Sequence, residues 1–191
     1  MGIGPHRMFG YSKTGRPDWF FKKRFFGGIL NDIASHQVDQ FLYFTGSSDA
    51  EVVASQVANF NHLEYPEFED FGDVVLRSPQ GTGYIRVDWF TPAGLNTWGD
   101  VRLFITGTEG YIELRKNVDV EGRPGANHLF MVDQKAMQYV DCGNVYLPFG
   151  PQFLEDIQKR TENAMTQAHS LLASELALKA QTQARRIAGL A

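Results

Sequence analysis

Asp32 and His36 stand four residues apart in GGILNDIASHQVDQFLYFTG, residues 27–46. At that spacing a helix carries both on one face, one above the other. A carboxylate that orients an imidazole is a common unit of acid–base chemistry, since the ring exchanges a proton near neutral pH and the carboxylate favours its charged form. The same pair also fits a plainer role, an acid complementing a helix amino terminus and a histidine satisfied in a core. Asp39 continues the face by another turn. Asp32, His36 and Asp39 would be the ligands of a metal-dependent lyase or isomerase, but a metal shell needs further partners that the sequence does not announce.

A second candidate is the loop TPAGLNTWGD, residues 91–100, which carries Asn96, Thr97, Trp98 and Asp100 between two strands. Such loops often hold binding groups, and Trp98 reads equally well as an anchoring aromatic. Gln37 beside His36, together with His6, Arg7, Arg16 and His128, completes the set of side chains that could reach a polar ligand. Dinucleotide and hydrolase signatures are missing. Gly2-Ile3-Gly4 precedes a proline and follows no strand, and Gly81-Thr82-Gly83 lies between two strands. Neither continues as G-x-G-x-x-G; there is no G-x-x-x-x-G-K and no G-x-S-x-G elbow.

The elements that must position these groups fall in a simple order. Residues 1–18, rich in Gly and Pro, form an extended lead-in, and Pro17-Asp18 can start a short helix through residue 25. The motif helix follows over 27–46, with Asn31 near its start, Gly46 as its C′ residue, and Ile29, Ile33, Phe41, Leu42 and Phe44 as its apolar cover. From residue 51 the period of the pattern changes from 3.6 to 2. Strands are expected at 52–60, 73–78, 82–90, 101–107, 110–116, 128–133 and 137–141. Pro79-Gln80-Gly81, Gly107-Thr108-Glu109-Gly110 and Gln134-Lys135 supply the turns. Consecutive strands without helices between them imply an antiparallel or mixed sheet over 51–141. Helices are expected from Pro151 to about residue 160 and from a Thr166 cap onward, so that 151–190 is helical. The fold class is α+β, a single domain over 1–191. Apolar residues occur in both alternation sets, Val87 and Trp89 against Ile85 and the neighbouring Phe90, so both sheet faces are expected to need cover.

Composition narrows the function classes. Hydrophobic content of 43% and charged content of 21% are those of an ordinary globular protein, while fifteen Phe point to a large core or buried interface. Net charge is −4, and basic residues cluster only at Lys22-Lys23-Arg24 and Arg185-Arg186, which argues against nucleic acid as a partner. Cys142 is the only cysteine, so neither a disulfide framework nor a cysteine zinc cluster is available. No apolar run approaches the roughly 20 residues that span a bilayer. MGIGPHRMFG lacks a charged-then-apolar signal pattern, and a cytoplasmic location with no membrane partner is expected unless a signal lies upstream.

GGILNDIASH at 27–36 resembles the G-G-x-x-x-D-x-x-x-H signature of the Gfo/Idh/MocA oxidoreductases. RPDWFF before it, HQVDQFLYFTG after it, the GTEGYIELRK hairpin at 107–116 and the closing HSLLASELALKAQTQA agree in order. The resemblance covers essentially the whole chain but only the C-terminal half of a family member. It implies an open, mostly antiparallel sheet with helices on one face, like the C-terminal domain of dihydrodipicolinate reductase, and no Rossmann domain in this chain. It places the family's catalytic Asp and His on Asp32 and His36. The family's catalytic lysine belongs to a Glu-Lys-Pro motif that is missing here, as is the dinucleotide fingerprint.

The function so implied is the substrate-binding and oligomerisation domain of an NAD(P)-dependent oxidoreductase acting on a sugar, cyclitol or related polyol. Asp32 and His36 would supply its acid–base pair, and Arg16, Gln37, Trp98 and His128 would contact substrate. NAD or NADP would belong to the full-length enzyme, with none expected to bind this chain alone. A dimer or tetramer through the sheet face is expected. The chain would then be a truncated, proteolysed or split product. The alternative, suggested by Met1, is a free-standing non-catalytic binding or assembly module derived from that domain.

Overall fold

The computed structural model describes residues 2–3, 16–95 and 97–187. A 3-10 turn at Asp18–Phe21 and helix α1 at Lys23–Phe26 lead into the motif segment. That segment is a π-helical turn, Leu30–Ala34, continuing directly into α2, Ser35–Thr45, which ends on Gly46 in the left-handed conformation. Strands β2 (Glu51–Ala58), β3 (Phe71–Ser78) and β4 (Gly81–Asp88) follow as an antiparallel meander. Two short strands, β1 (Gly2–Ile3) and β5 (Gly99–Asp100), extend the sheet beyond β4, and β10 (Arg185–Arg186) joins its other edge, giving the order β10-β2-β3-β4-β1-β5.

A second, four-stranded antiparallel sheet holds β6 (Arg102–Thr106), β7 (Gly110–Arg115), β8 (His128–Asp133) and β9 (Met137–Asp141) in that order. Helices α3 (Phe149–Lys159) and α4 (Gln167–Gln183) close the chain, the latter capped by Thr166, whose side chain accepts from the His169 N–H. The expected α+β architecture with mostly antiparallel strands is therefore observed. No helix among the described residues is long and apolar enough to cross a membrane.

The period of two explains how the first sheet receives the helices. Gly72, Val74 and Leu76 of β3 pair with Val87, Ile85 and Gly83 of β4, so all six share one face. Val74, Leu76, Ile85 and Val87 are buried there beneath the motif helix, while α4 packs on β2. Ile85 thus lies with Val87 and Trp89, not opposite them: residues two apart point the same way, which corrects the expectation of two apolar faces for this strand. The reverse face is mixed, with Phe71 and Val75 beside Asp73, Arg77, Tyr84 and Arg86, and there Tyr84 Oη and Gln56 Nε2 both donate to Asp73. Two glycines set the spacing between layers. A β-carbon on Gly72 would lie 2.7 Å from Ile29 Cγ2, and one on Gly83 would lie 2.6 Å from Phe41 Cδ2.

An aromatic cluster seals one end of this core. Phe20 packs against Phe26, Phe68 and Trp89 with centroids 5.0–5.9 Å apart. Beside it, fully buried Asp70 accepts from the Phe60 and Asn61 N–H groups and from His62 Nδ1 at 2.7–2.9 Å, so its charge is paid by three donors. Along α4, small Ala173, Ala177 and Ala180 face inward, and Ser55 donates to the Ala180 carbonyl at 2.7 Å, which brings this helix close to β2. The second sheet differs. Of all the described residues in β6 to β9, only His128 is buried, and α3 buries none.

Candidate functional site

Gly27 and Gly28 have φ of +81° and +99°, conformations that L side chains rarely adopt, and together they turn the chain from α1 into the motif helix. Asn31, expected near the helix start as a cap, does not act as an acceptor there. Its Nδ2 instead donates back to the Gly27 carbonyl at 2.9 Å. Asp32 lies in the middle of the π turn, and His36 in the first turn of α2; both are exposed.

Although solvent reaches the Asp32 carboxylate, protein packed around it removes enough water to push its pKa above the usual carboxylate range. The positive charges of Arg16 and His36 pull the other way and moderate that rise. Arg16 is held by aromatic faces, its guanidinium carbon 4.6 Å from the Phe20 ring centre and 5.9 Å from that of Trp89. Arg16 and His36 are thus the charged groups that act on the Asp32 carboxylate. The three side chains offer an open imidazole to a hydroxyl proton, a partly dehydrated carboxylate beside it, and a guanidinium suited to polar oxygens.

The remaining candidates are dispersed. Gln37 follows His36 and is half-buried on α2. Trp98 is exposed in the loop between β4 and β5. His128 sits in the second sheet, 1% exposed, with Nδ1 accepting from Tyr139 Oη at 3.0 Å and Nε2 donating to the Gly125 carbonyl at 3.3 Å. Asp39 accepts from His169 Nε2 at 2.6 Å, tying α2 to α4. Among the described residues no group of three or more His, Cys, Asp or Glu side chains is placed to hold a metal ion. His6, Arg7 and Asn96 lie outside the described residues.

Two buried residues pass unnoticed in the sequence. Glu69 and Gln181 bond the start of the motif helix from 40 and 151 residues away, and no local pattern signals a partner at such distance. Among the described residues parallel pairing is confined to β1 with β4 and β10 with β2, with no more than two residue pairs in either. The helix that follows the glycine pair has its leading N–H groups already bonded within the protein, leaving none to receive a diphosphate.

Over residues 5–113 the sequence matches the family described as the GFO/IDH/MocA C-terminal domain. A provisionally assigned oxidoreductase from Erwinia carotovora atroseptica SCRI1043 is 53% identical with a TM-score of 0.88, covering 97% of this chain and 55% of that one. Another from Thermotoga maritima shares the fold at 22% identity and a TM-score of 0.77, covering 96% of this chain and 50% of that one. KijD10, a 3-ketoreductase from Actinomadura kijaniata solved with NADP and TDP-benzene, shares it at 16% identity and a TM-score of 0.66, with 99% and 53% covered. The chain therefore spans about half the length of these proteins. No curated protein matches it significantly.

Proposed function

The chain belongs to the GFO/IDH/MocA family as a C-terminal domain, and from that premise we propose that residues 1–191 form the substrate-binding and oligomerisation half of an NAD(P)-dependent oxidoreductase acting on a sugar, cyclitol or related polyol. One observation carries the reading: Asp32 and His36, which the sequence resemblance assigns to the family's acid–base pair, are both exposed on the motif helix, with Arg16 acting on the same carboxylate. His36 accepts the substrate hydroxyl proton, or returns it in the reverse direction, at a ring nitrogen. Asp32 favours the protonated ring, and Arg16 binds a neighbouring oxygen of the substrate. NAD or NADP belongs to the full-length enzyme in this reading, as the missing dinucleotide fingerprint of the sequence suggests. KijD10 is by its name a 3-ketoreductase and was solved with NADP and TDP-benzene, which is in keeping with a nicotinamide-dependent carbonyl or alcohol chemistry.

The second sheet supports the assembly role. Leu103, Ile105, Ile112, Leu114, Leu129 and Met131 share one of its faces by register, and none is buried. A second copy laid on that face would remove a continuous aliphatic surface from water.

The test is an NMR titration of the chain with a polyol and sugar-nucleotide panel, followed by NAD+ and NADP+. Ligand-induced shifts centred on Arg16, Asp32 and His36, and lost in His36→Ala, are expected. Micromolar binding of either cofactor by the chain alone would overturn the half-enzyme reading. Absence of any polyol or sugar response at the pair would leave the non-catalytic assembly module as the function.

A further inference from the structure

Every helix begins with N–H groups that lack partners within the helix, and here the usual local solution is missing. The residues before the motif helix offer no side-chain cap, and Asn31 has turned back to Gly27. Two of the leading groups, Asn31 N–H and Asp32 N–H, reach the Gly28 carbonyl at 3.1 and 3.0 Å. The other two are served from distant parts of the chain. Ile29 N–H donates to Glu69 Oε2 at 3.0 Å, and Leu30 N–H donates to Gln181 Oε1 at 2.9 Å. These two acceptors are themselves locked together, since Gln181 Nε2 donates to the same Glu69 oxygen at 3.0 Å, while Lys23 Nζ takes the other.

The assembly is dry and tight. Glu69 is 1% exposed and Gln181 9%. A β-carbon on Gly28 would fall 2.3 Å from the Gln181 carboxamide, so only glycine admits that side chain. Immediately beyond these bonds the helix runs as the π turn that contains Asp32. A π turn closes its hydrogen bonds over five residues instead of four, so relaxing it to ordinary α geometry would rotate Asp32 relative to His36.

We infer that Glu69 and Gln181 are positioning residues for the Asp32–His36 pair, capping the helix from outside at Ile29 and Leu30, stabilising the π turn, and so fixing how the carboxylate faces the imidazole. The inference rests on the reading of Asp32 and His36 as an interacting pair. It adds that the pair's geometry is set by α4 and by the residue before Asp70, rather than by the motif helix itself.

The experiment measures the coupling within the pair directly on the 191-residue chain. The midpoint of the His36 ring titration is followed by NMR in the wild type and in Asp32→Asn, and the difference is the influence of Asp32. The same difference is then measured on a Gln181→Met background, where no acceptor faces Leu30 N–H. The neighbouring charges of Arg16, Asp39, His169 and Lys23 are present throughout, and that of Glu69 in every variant but its own. The expected result is that the difference falls to half or less in Gln181→Met. It persists in Glu69→Gln, which still accepts from Ile29 N–H. An undiminished difference in folded Gln181→Met overturns the inference.

If that variant does not fold, Gln181→Ala gives the same comparison. In the wild type, amide exchange at Ile29 and Leu30 as slow as in β3 is expected, and fast exchange there overturns the inference without any variant. None of these measurements uses substrate. A failed polyol titration therefore counts against the proposed function, and an unchanged coupling counts against the positioning role.

Discussion

Gly72→Ala puts two opposing effects in one strand. Glycine inside a strand costs about 0.5–1 kcal/mol relative to alanine, so on backbone grounds the substitution should stabilise the protein. The new methyl group, however, would sit 2.7 Å from Ile29 Cγ2 and 2.8 Å from Leu30 Cδ2. Carbon atoms pack at about 3.5–4.0 Å, so the helix start must move away by roughly 1 Å or accept a clash. Both neighbours are fully buried, so any movement must be taken up by the packed core around them. Overpacking of this kind costs about 1–3 kcal/mol, which exceeds the backbone gain and leaves a net loss of about 1–2 kcal/mol.

Gly81→Ala is the control: its β-carbon meets only Thr45 Cγ2 at 3.8 Å, so the backbone gain should stand alone. With a urea slope of about 2 kcal/mol per molar, the midpoint should fall by about 0.5–1 M in the first variant and stay level or rise in the second. A Gly72→Ala midpoint at or above wild type would refute the close seating of the motif helix on β3.

Asp32→Asn tests the electrostatics through pH. Because burial raises the folded-state pKa of Asp32, its contribution to stability is fully present below the ordinary carboxylate range and is lost as pH rises through the raised value. The urea midpoint of the variant minus that of wild type should therefore be larger at about pH 7 than at about pH 3, and the opposite trend would refute the assignment. Thr166→Ala removes the acceptor for the His169 N–H, 3.2 Å away, and should cost about 1 kcal/mol, or about 2–4 °C in thermal midpoint. Ile112→Glu places a charge in the aliphatic face of the second sheet; light scattering should show wild-type oligomers converted to monomers, and an unchanged mass would rule out that face as the contact.

What could be read from the sequence was what depends on near neighbours. The 128–133 and 137–141 strands lie where the alternation places them, the Gly107–Gly110 hairpin closes with Gly107 N–H on the Gly110 carbonyl, and Thr166 caps α4. The pair at Asp32 and His36 was visible because helical spacing is local. Arg16 could be named, but its place over Phe20 and Trp89 depends on how the aromatic cluster folds. The π turn was not legible, because one extra residue per turn leaves no mark in the hydrophobic pattern of so short a stretch. Glu69 and Gln181 were invisible for a different reason. A glutamate in PEFEDF and a glutamine in an Ala-rich helix look like solvated residues until tertiary contacts bury them.

The second sheet carries a consequence for how the molecule comes apart. Stability within a protein follows the apolar contacts that each region buries, and regions that bury little open on their own. The core cluster draws residues from the motif helix, α4 and the first sheet but none from β6 to β9. Residues 102–141 should therefore behave as a separate foldon, exchanging their amide protons through openings much cheaper than global unfolding. Where another surface covers that sheet, mass action makes those openings depend on protein concentration. Dilution would then loosen β6 to β9 first, while the helix bearing Asp32 and His36 keeps its protection.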